Sequence, residues 1–160
     1  MRLLGAAVLM LVALFATVGY RRFAYCGVAV GEAFLELLVG LRRHISISGA
    51  PIDKYMAARS GGPLEECGFY AEYRRCGRLS LAFSRVSGRL CLSAGLLAEL
   101  SDVFGRLGGS DIEGEVRLLD AAIGEIERMN KEFKGETERS VRVVSVVVVA
   151  VSLALLILLL

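Results

Sequence analysis

Gly108-Gly109-Ser110-Asp111-Ile112-Glu113 is the sharpest local chemical signal in this chain. The two glycines permit the positive φ values of a chain reversal. A serine followed three residues later by a glutamate has the spacing of a capping box, in which Ser110 takes an amide of the first helical turn and Glu113 reaches back. The same pattern can be read as a phosphate cradle at a helix N-terminus. That chemistry wants a Lys-Ser/Thr pair on the glycine loop and a strand before it, and the sequence offers neither. Asp111 and Glu113 would also repel an anion. The segment therefore reads as a capped turn between two helices.

Other reactive side chains are scattered. Cys26, Cys67, Cys76 and Cys91 show no C-x-x-C spacing, and His44 is the lone histidine, so a zinc site has no support and no metal or other cofactor is expected. The thiols are expected reduced and partly buried. No nucleophile–base pair and no paired-carboxylate constellation is visible, so the chain is expected not to be an enzyme. Two readings stay open for the arginine groups Arg42-Arg43, Arg74-Arg75-x-x-Arg78, and Arg85 with Arg89. They form a solvated face, or they dock an acidic partner or lipid headgroups. The acidic residues Glu113, Glu115, Asp120, Glu125, Glu127 and Glu132 are expected mostly on an outer helix face, pairing with Arg117 and Arg128 or meeting a basic partner.

The elements that would position these groups are helical. No stretch alternates with period two. Val28, Leu35, Leu38, Leu41 and Ile45 recur at helical spacing up to the stop at Ser48-Gly49-Ala50-Pro51. A short helix follows with Ile52, Tyr55, Met56 and Arg59 on its inner edge, ended by Ser60-Gly61-Gly62-Pro63. Leu64–Arg78 reads as one segment, Leu79, Leu81, Ala82, Phe83 and Val86 as a mostly apolar turn or helix that stops near Gly88, and Leu92–Leu107 as a helix burying Leu96, Leu97, Leu100, Val103, Phe104 and Leu107. Last comes a heptad stripe of Ile112, Val116, Leu119, Ile123, Ile126 and Phe133, with Asn130 at the missing position. Asn130 either fixes register against a facing helix or marks the edge of the domain.

The stretches 3–20 and 143–160 are apolar runs with no charged side chain, each near the lower limit of length for crossing hydrocarbon. Between them lie 18 of the 19 Lys+Arg and all 17 Asp+Glu residues. The near-neutral balance of that block argues against a nucleic-acid surface. The first run is expected to be a retained anchor, because its apolar core outruns a signal peptide and lacks a clean cleavage site. Arg21, Arg22, Arg139 and Arg142 flank the inner ends of the runs, so the positive-inside rule puts the block 21–142 in the cytoplasm. The expected architecture is all-α: an antiparallel helical bundle over 21–142, its outgoing and returning long helices side by side, flanked by transmembrane helices 3–20 and 143–160.

Two blocks carry a family resemblance. Leu41–Ile52 is similar to a Leu-x-x-Glu-Ile…Pro-Leu stretch, and Phe104–Glu115 resembles a Leu-Gly-x-x-Leu-Gly-x-Ser-Asp block, both of the stage III sporulation protein AB family. The order of anchor, blocks, charged heptad helix and second anchor is also similar. His44 departs from the family's usual Glu, and Gly61–Gly88 has no clear counterpart. The resemblance implies a fold like the cytoplasmic domain of the inner-membrane platform protein of type II secretion and type IV pilus systems. It implies a non-enzymatic scaffold in the mother cell membrane, within the channel complex joining mother cell and forespore. The implied partners are a secretion-type ATPase like stage III sporulation protein AA, other channel components and membrane lipid, with a homo-oligomer left open. Arg74, Arg75 and Arg78 with the turn Gly108, Gly109, Ser110 and Asp111 are the expected contact residues. The rival readings are a platform protein outside sporulation and a ligand-binding module of the membrane surface.

Overall fold

The structure is a computed structural model that describes residues 2–49 and 51–159, with the side chains of residues 12, 15, 17–49, 51–154 and 157. Among the described residues every regular element is a helix. These are α1 (Arg2–Ser48), α2 (Ile52–Ala57), α3 (Pro63–Glu66), α4 (Phe69–Cys76), α5 (Leu79–Val86), α6 (Ala94–Arg106) and α7 (Ile112–Leu159), with a 3-10 turn at Ser87–Arg89. The chain divides into two units. One comprises residues 1–26 with 134–160, the other residues 27–133.

The second unit is built on a pair of antiparallel rods. The ring of Phe133 lies against Gly27, Asn130 bonds to Gly31, Arg42 pairs with Asp120 at 2.8 Å, and Ile112 lies against Gly49. As numbers rise along α1 they fall along α7, so the expected side-by-side pair is present over about 33 Å of helix. Register is held by a close approach rather than by the charged pair. The Asn130 side chain donates to the Gly31 carbonyl at 3.0 Å and is buried, and a Cβ on Gly31 would stand 2.4 Å from Asn130 Oδ1. Of the two readings of Asn130, the structure supports register.

Four phenylalanines from four helices fill the centre. Phe34 of α1 meets Phe69 of α4 edge-on at 5.1 Å between ring centroids and Phe83 of α5 at 5.5 Å. Phe104 of α6 lies 5.3 Å from Phe83 and 5.9 Å from Phe69. Edge-to-face rings at these separations add to their area burial. Phe34 is fully buried, and burying such a side chain stabilises by about 1.5–3 kcal/mol. Periodicity picked out Leu38, Leu41 and Ile45, which are buried as expected, but passed over Phe34.

Several expectations need correction. Leu64–Arg78 is two helices, because Gly68 sits at φ +84° and breaks the run between α3 and α4. The helix expected over Leu92–Leu107 starts at Ala94, since the Ser93 hydroxyl accepts the Leu96 amide as N-cap. Arg59 is exposed beyond the end of α2 and donates to the Tyr55 hydroxyl instead of lining the core. In the heptad stripe Leu119 and Ile126 are fully buried and Val116, Ile123 and Phe133 half-buried, whereas Ile112 is 55% exposed.

The unit of 1–26 and 134–160 is helical where described, but most side chains of 3–16 and several of 155–160 lie outside the described residues. On α7, Thr137 and Val141 are buried. Val143, Val146, Val147, Val149, Val151, Leu153 and Ile157 are each more than half exposed. Ser145 and Ser152 donate to the carbonyls of Val141 and Val148, both at 2.7 Å, so neither hydroxyl needs an outside partner. Among the described residues one helical stretch, Thr17–Ser48, is long and apolar enough to cross a membrane, and 44% of its most apolar window is buried within the protein.

Candidate functional site

At the end of the second unit farthest from Gly27 and Phe133, the C-terminal parts of α1 and α6 meet the start of α7. α2 and the junction of α4 with α5 close the sides. The chain reverses after α6 through Gly108 at φ +92°, a conformation that favours glycine. Asp111 then caps α7: its Oδ1 accepts the Gly114 amide at 3.1 Å. The expected box of Ser110 and Glu113 is thus displaced. The cap is Asp111, and Glu113 points outward to Arg117 at 3.6 Å. The acid that folds back is Glu115, two residues after Glu113.

Glu115 was expected on the outer face and is instead 6% exposed. Its Oε1 accepts the amides of Gly108 at 2.8 Å and Ser110 at 3.1 Å. Glycine-turn amides of this kind form an anion nest. Here the anion is the chain's own carboxylate, which occupies the Gly108 and Ser110 amides that a phosphate would need and adds negative charge beside them. The second oxygen, Oε2, is buried with no hydrogen-bond partner. That is a costly arrangement, because a carboxylate oxygen taken from water keeps its desolvation penalty until a donor arrives.

Glu115 lines a cavity of about 550 Å³. Ile45, Ile52, Phe104, Leu107 and Ile112 supply its apolar lining, and Asp53, Tyr73, Arg78 and Ser110 join Glu115 as its polar groups. The Tyr73 hydroxyl donates to Asp53 Oδ1 at 2.6 Å. Burial first, and then this bond, push the Tyr73 hydroxyl well above the usual phenol range. Arg78 is exposed, and among the described residues its guanidinium has no hydrogen-bond or ion-pair partner.

The expected contact residues therefore fall into two groups. Arg78, Gly108 and Ser110 line the cavity, and Gly109 and Asp111 belong to the same turn. Arg74 and Arg75 are elsewhere on α4, held by Glu65 and Glu72. Glu72 also accepts from Arg85 at 3.0 Å, and these arginines hold its carboxyl below the usual range. His44 sits beside Tyr55, ring centroids 5.3 Å apart, with its Nδ1 3.4 Å from the Ser48 hydroxyl. Sequence reasoning missed Glu115, Ile112 as an exposed residue, and the Asp53–Tyr73 bond. Only the first had a signal: an acid at the fourth helical position, within reach of a glycine turn.

With this geometry in view, the family can be placed. The sequence model of the stage III sporulation protein AB family matches residues 2–160. The chain belongs to that family. No curated protein and no solved structure matches it. Membership in the stage III sporulation protein AB family brings a sporulation-related role, and the match spans both resembling blocks, including the turn and cavity just described.

Proposed function

We propose that the chain is a non-enzymatic membrane platform, anchored by two spans, that docks a secretion-type ATPase on its cytoplasmic bundle within the mother cell–forespore channel. The observation that carries this reading is the pairing of Gly27 with Phe133. The two rods enter and leave the bundle side by side, and each continues into an apolar run. The exposed ridge from Val143 to Ile157 suits lipid, which would cover it. Arg21, Arg22, Arg139 and Arg142 flank the runs and suit an anionic inner leaflet. The unpaired Arg78 and the exposed Ile112 support docking at the opposite end of the bundle. The phenylalanine cluster at the centre of the bundle suits a rigid scaffold, and the family membership favours sporulation over other secretion systems.

The test is calorimetry of the full chain in nanodiscs against the stage III sporulation protein AA ATPase. Saturable binding that weakens in Arg78→Glu is expected. No binding to the wild-type chain would overturn the docking. Labelling of single engineered cysteines from each side of the membrane tests the topology: positions between Arg22 and Arg139 should react only from the cytoplasm.

The ligand-binding alternative draws on one observation, the convergence of Asp53 and Glu115 on the cavity. That convergence also fits a partner's side chain, and the platform reading absorbs it.

A further inference from the structure

Helix α1 carries large exposed rings past the end of its apolar run. Phe23 is 66% exposed and Tyr25 41%, and Tyr20 is exposed beside them. The three bracket the Arg21-Arg22 pair and lie within the unit of residues 1–26 with 134–160. Ala24 is the half-buried position of this turn. At about 100° per residue, Phe23 and Tyr25 project to its two opposite flanks. A protein partner covers one side of a helix, whereas a layer that surrounds the helix covers both. The exposed surface is also continuous with that of Val12, Phe15 and Val18 on the run itself. Length points the same way. The run 3–20 supplies about 27 Å of helix, against about 30 Å of hydrocarbon in a bilayer, so Tyr20 falls at the hydrocarbon edge. From Tyr20 to Tyr25 the helix rises about 7 Å, which matches the thickness of one headgroup layer, about 5–7 Å.

We infer that Tyr20, Phe23 and Tyr25 form a collar that seats α1 in the headgroup layer of an anionic bilayer, so that the boundary with water falls just beyond Tyr25 and not at Arg21. The inference rests on the platform reading for the presence of a membrane and adds where on the chain that membrane ends. A tyrosine ring rests at the edge of the apolar zone while its hydroxyl stays wet, and the Phe23 ring gains by leaving water. Arg21 and Arg22, set between the rings, meet lipid phosphates as charge-assisted donors. Helix α7 contributes charge at this end instead of rings. From Lys134 to Arg142 it exposes no large apolar side chain, because Thr137 and Val141 are buried and the other residues are charged or small. Arg21, Arg22, Lys134, Arg139 and Arg142 outnumber Glu136 and Glu138, a surplus that fits an anionic leaflet. The two glutamates offset part of that attraction, which leaves the depth to the rings.

Fluorescence quenching of the full chain in nanodiscs of phosphatidylcholine with phosphatidylglycerol tests the collar. The chain contains no tryptophan, so F23W and Y25W each carry a single reporter and keep a ring in place. V149W, on the exposed apolar ridge of α7, reports hydrocarbon, and I47W, at an exposed position near the end of α1, reports water. Three quenchers are compared: a nitroxide on the lipid headgroup, a nitroxide deep on the acyl chain, and aqueous acrylamide. F23W and Y25W should both be quenched by the headgroup nitroxide at least about twofold more than by the deep one. V149W should show the reverse order, and I47W should respond to acrylamide alone. Acrylamide as the sole quencher of F23W and Y25W overturns the collar, while V149W still quenched from the acyl chain leaves the anchor of α7 standing. Headgroup quenching at only one of the two positions overturns it as well, because a cover on one flank is not a surrounding layer. Dominant deep quenching at both would carry the boundary past Tyr25 and likewise overturn it. Loss of deep quenching at V149W takes down the platform reading and the collar with it.

Discussion

The Asn130 side chain donates to the main-chain carbonyl of Gly31 and at the same time fills the space where a Gly31 side chain would begin. One contact therefore fixes both the approach and the register of α1 and α7. A polar residue at a heptad core position costs stability in exchange for alignment. The missing side chain at position 31 lets the two backbones come close enough for the bond to form.

G31A should consequently be far worse than a usual glycine-to-alanine change inside a helix, which tends to stabilise. Its methyl would meet Asn130 Oδ1, and either the asparagine or the helix must move. A loss of about 2–3 kcal/mol is expected in urea unfolding of the full chain in mild detergent. N130A alone should cost about 1 kcal/mol, the scale of one hydrogen bond. The double variant should be more stable than the sum of the two losses predicts, because N130A removes the obstacle. Strict additivity would mean that the two residues do not share this contact.

The phenylalanine cluster makes a second prediction. F34A removes the ring that touches Phe69, Phe83 and Phe104. Four helices surround the space, so it cannot collapse from one side, and the expected cost is about 3–5 kcal/mol. F34L should lose less, since it keeps most of the volume. Thermal unfolding followed by circular dichroism separates the two. A loss below about 1 kcal/mol for F34A would show that the ring is not the keystone of this core.

Much of this architecture was legible before any coordinates. The long rods, the start of α5 and the burial of Leu119 and Ile126 follow from apolar spacing, because a helix face either meets a core or meets water, and the stop at Ser48 follows from the Gly49 and Pro51 after it. What spacing could not supply was context at the ends. Ile112 obeys the heptad period, but it sits in the first turn of α7, where the partner helix has already ended at Ser48. Glu115 is a charged residue, and its burial depends on two amides presented by a turn conformation that no periodicity encodes. The Asp53–Tyr73 bond joins residues twenty positions apart. Among the residues named as contacts, the turn itself was legible from its glycines. Arg78 was named only as part of an arginine cluster, and it lines the cavity while Arg74 and Arg75 are tied up in ion pairs.

That Asp53–Tyr73 bond makes stability sensitive to high pH. Burial, and then the bond to Asp53, raise the Tyr73 hydroxyl above its ordinary value of 10.0, and burial raises Tyr70 in the same direction. A group whose folded pKa lies above its unfolded pKa contributes stability that is fully present below the unfolded value. The contribution is lost as pH rises towards the folded value. The urea midpoint should therefore hold steady up to about pH 10 and fall beyond it. Y73F should start lower and fall less steeply over the same alkaline range. Parallel curves for Y73F and the wild type would show that Tyr73 ionises as freely in the folded chain as in the unfolded one.

The cap of α7 separates the capping box suggested by spacing from the one the structure contains. If Ser110 were the cap, S110A would leave an amide of the first turn unsatisfied and D111A would be nearly silent. With Asp111 accepting the Gly114 amide at 3.1 Å, the order reverses. D111A should cost about 1 kcal/mol and S110A only a few tenths, because Ser110 contributes its main-chain amide to Glu115 and that amide survives the substitution. Negative charge at the N-terminus of a long helix is also favourable, so D111N should fall between wild type and D111A. Urea midpoints for the three variants, read against the unchanged slope of the transition, give the ranking. A larger loss for S110A than for D111A would restore the serine as the cap and would also put the position of Glu115 in question, since the turn that positions its two amides would then be differently folded.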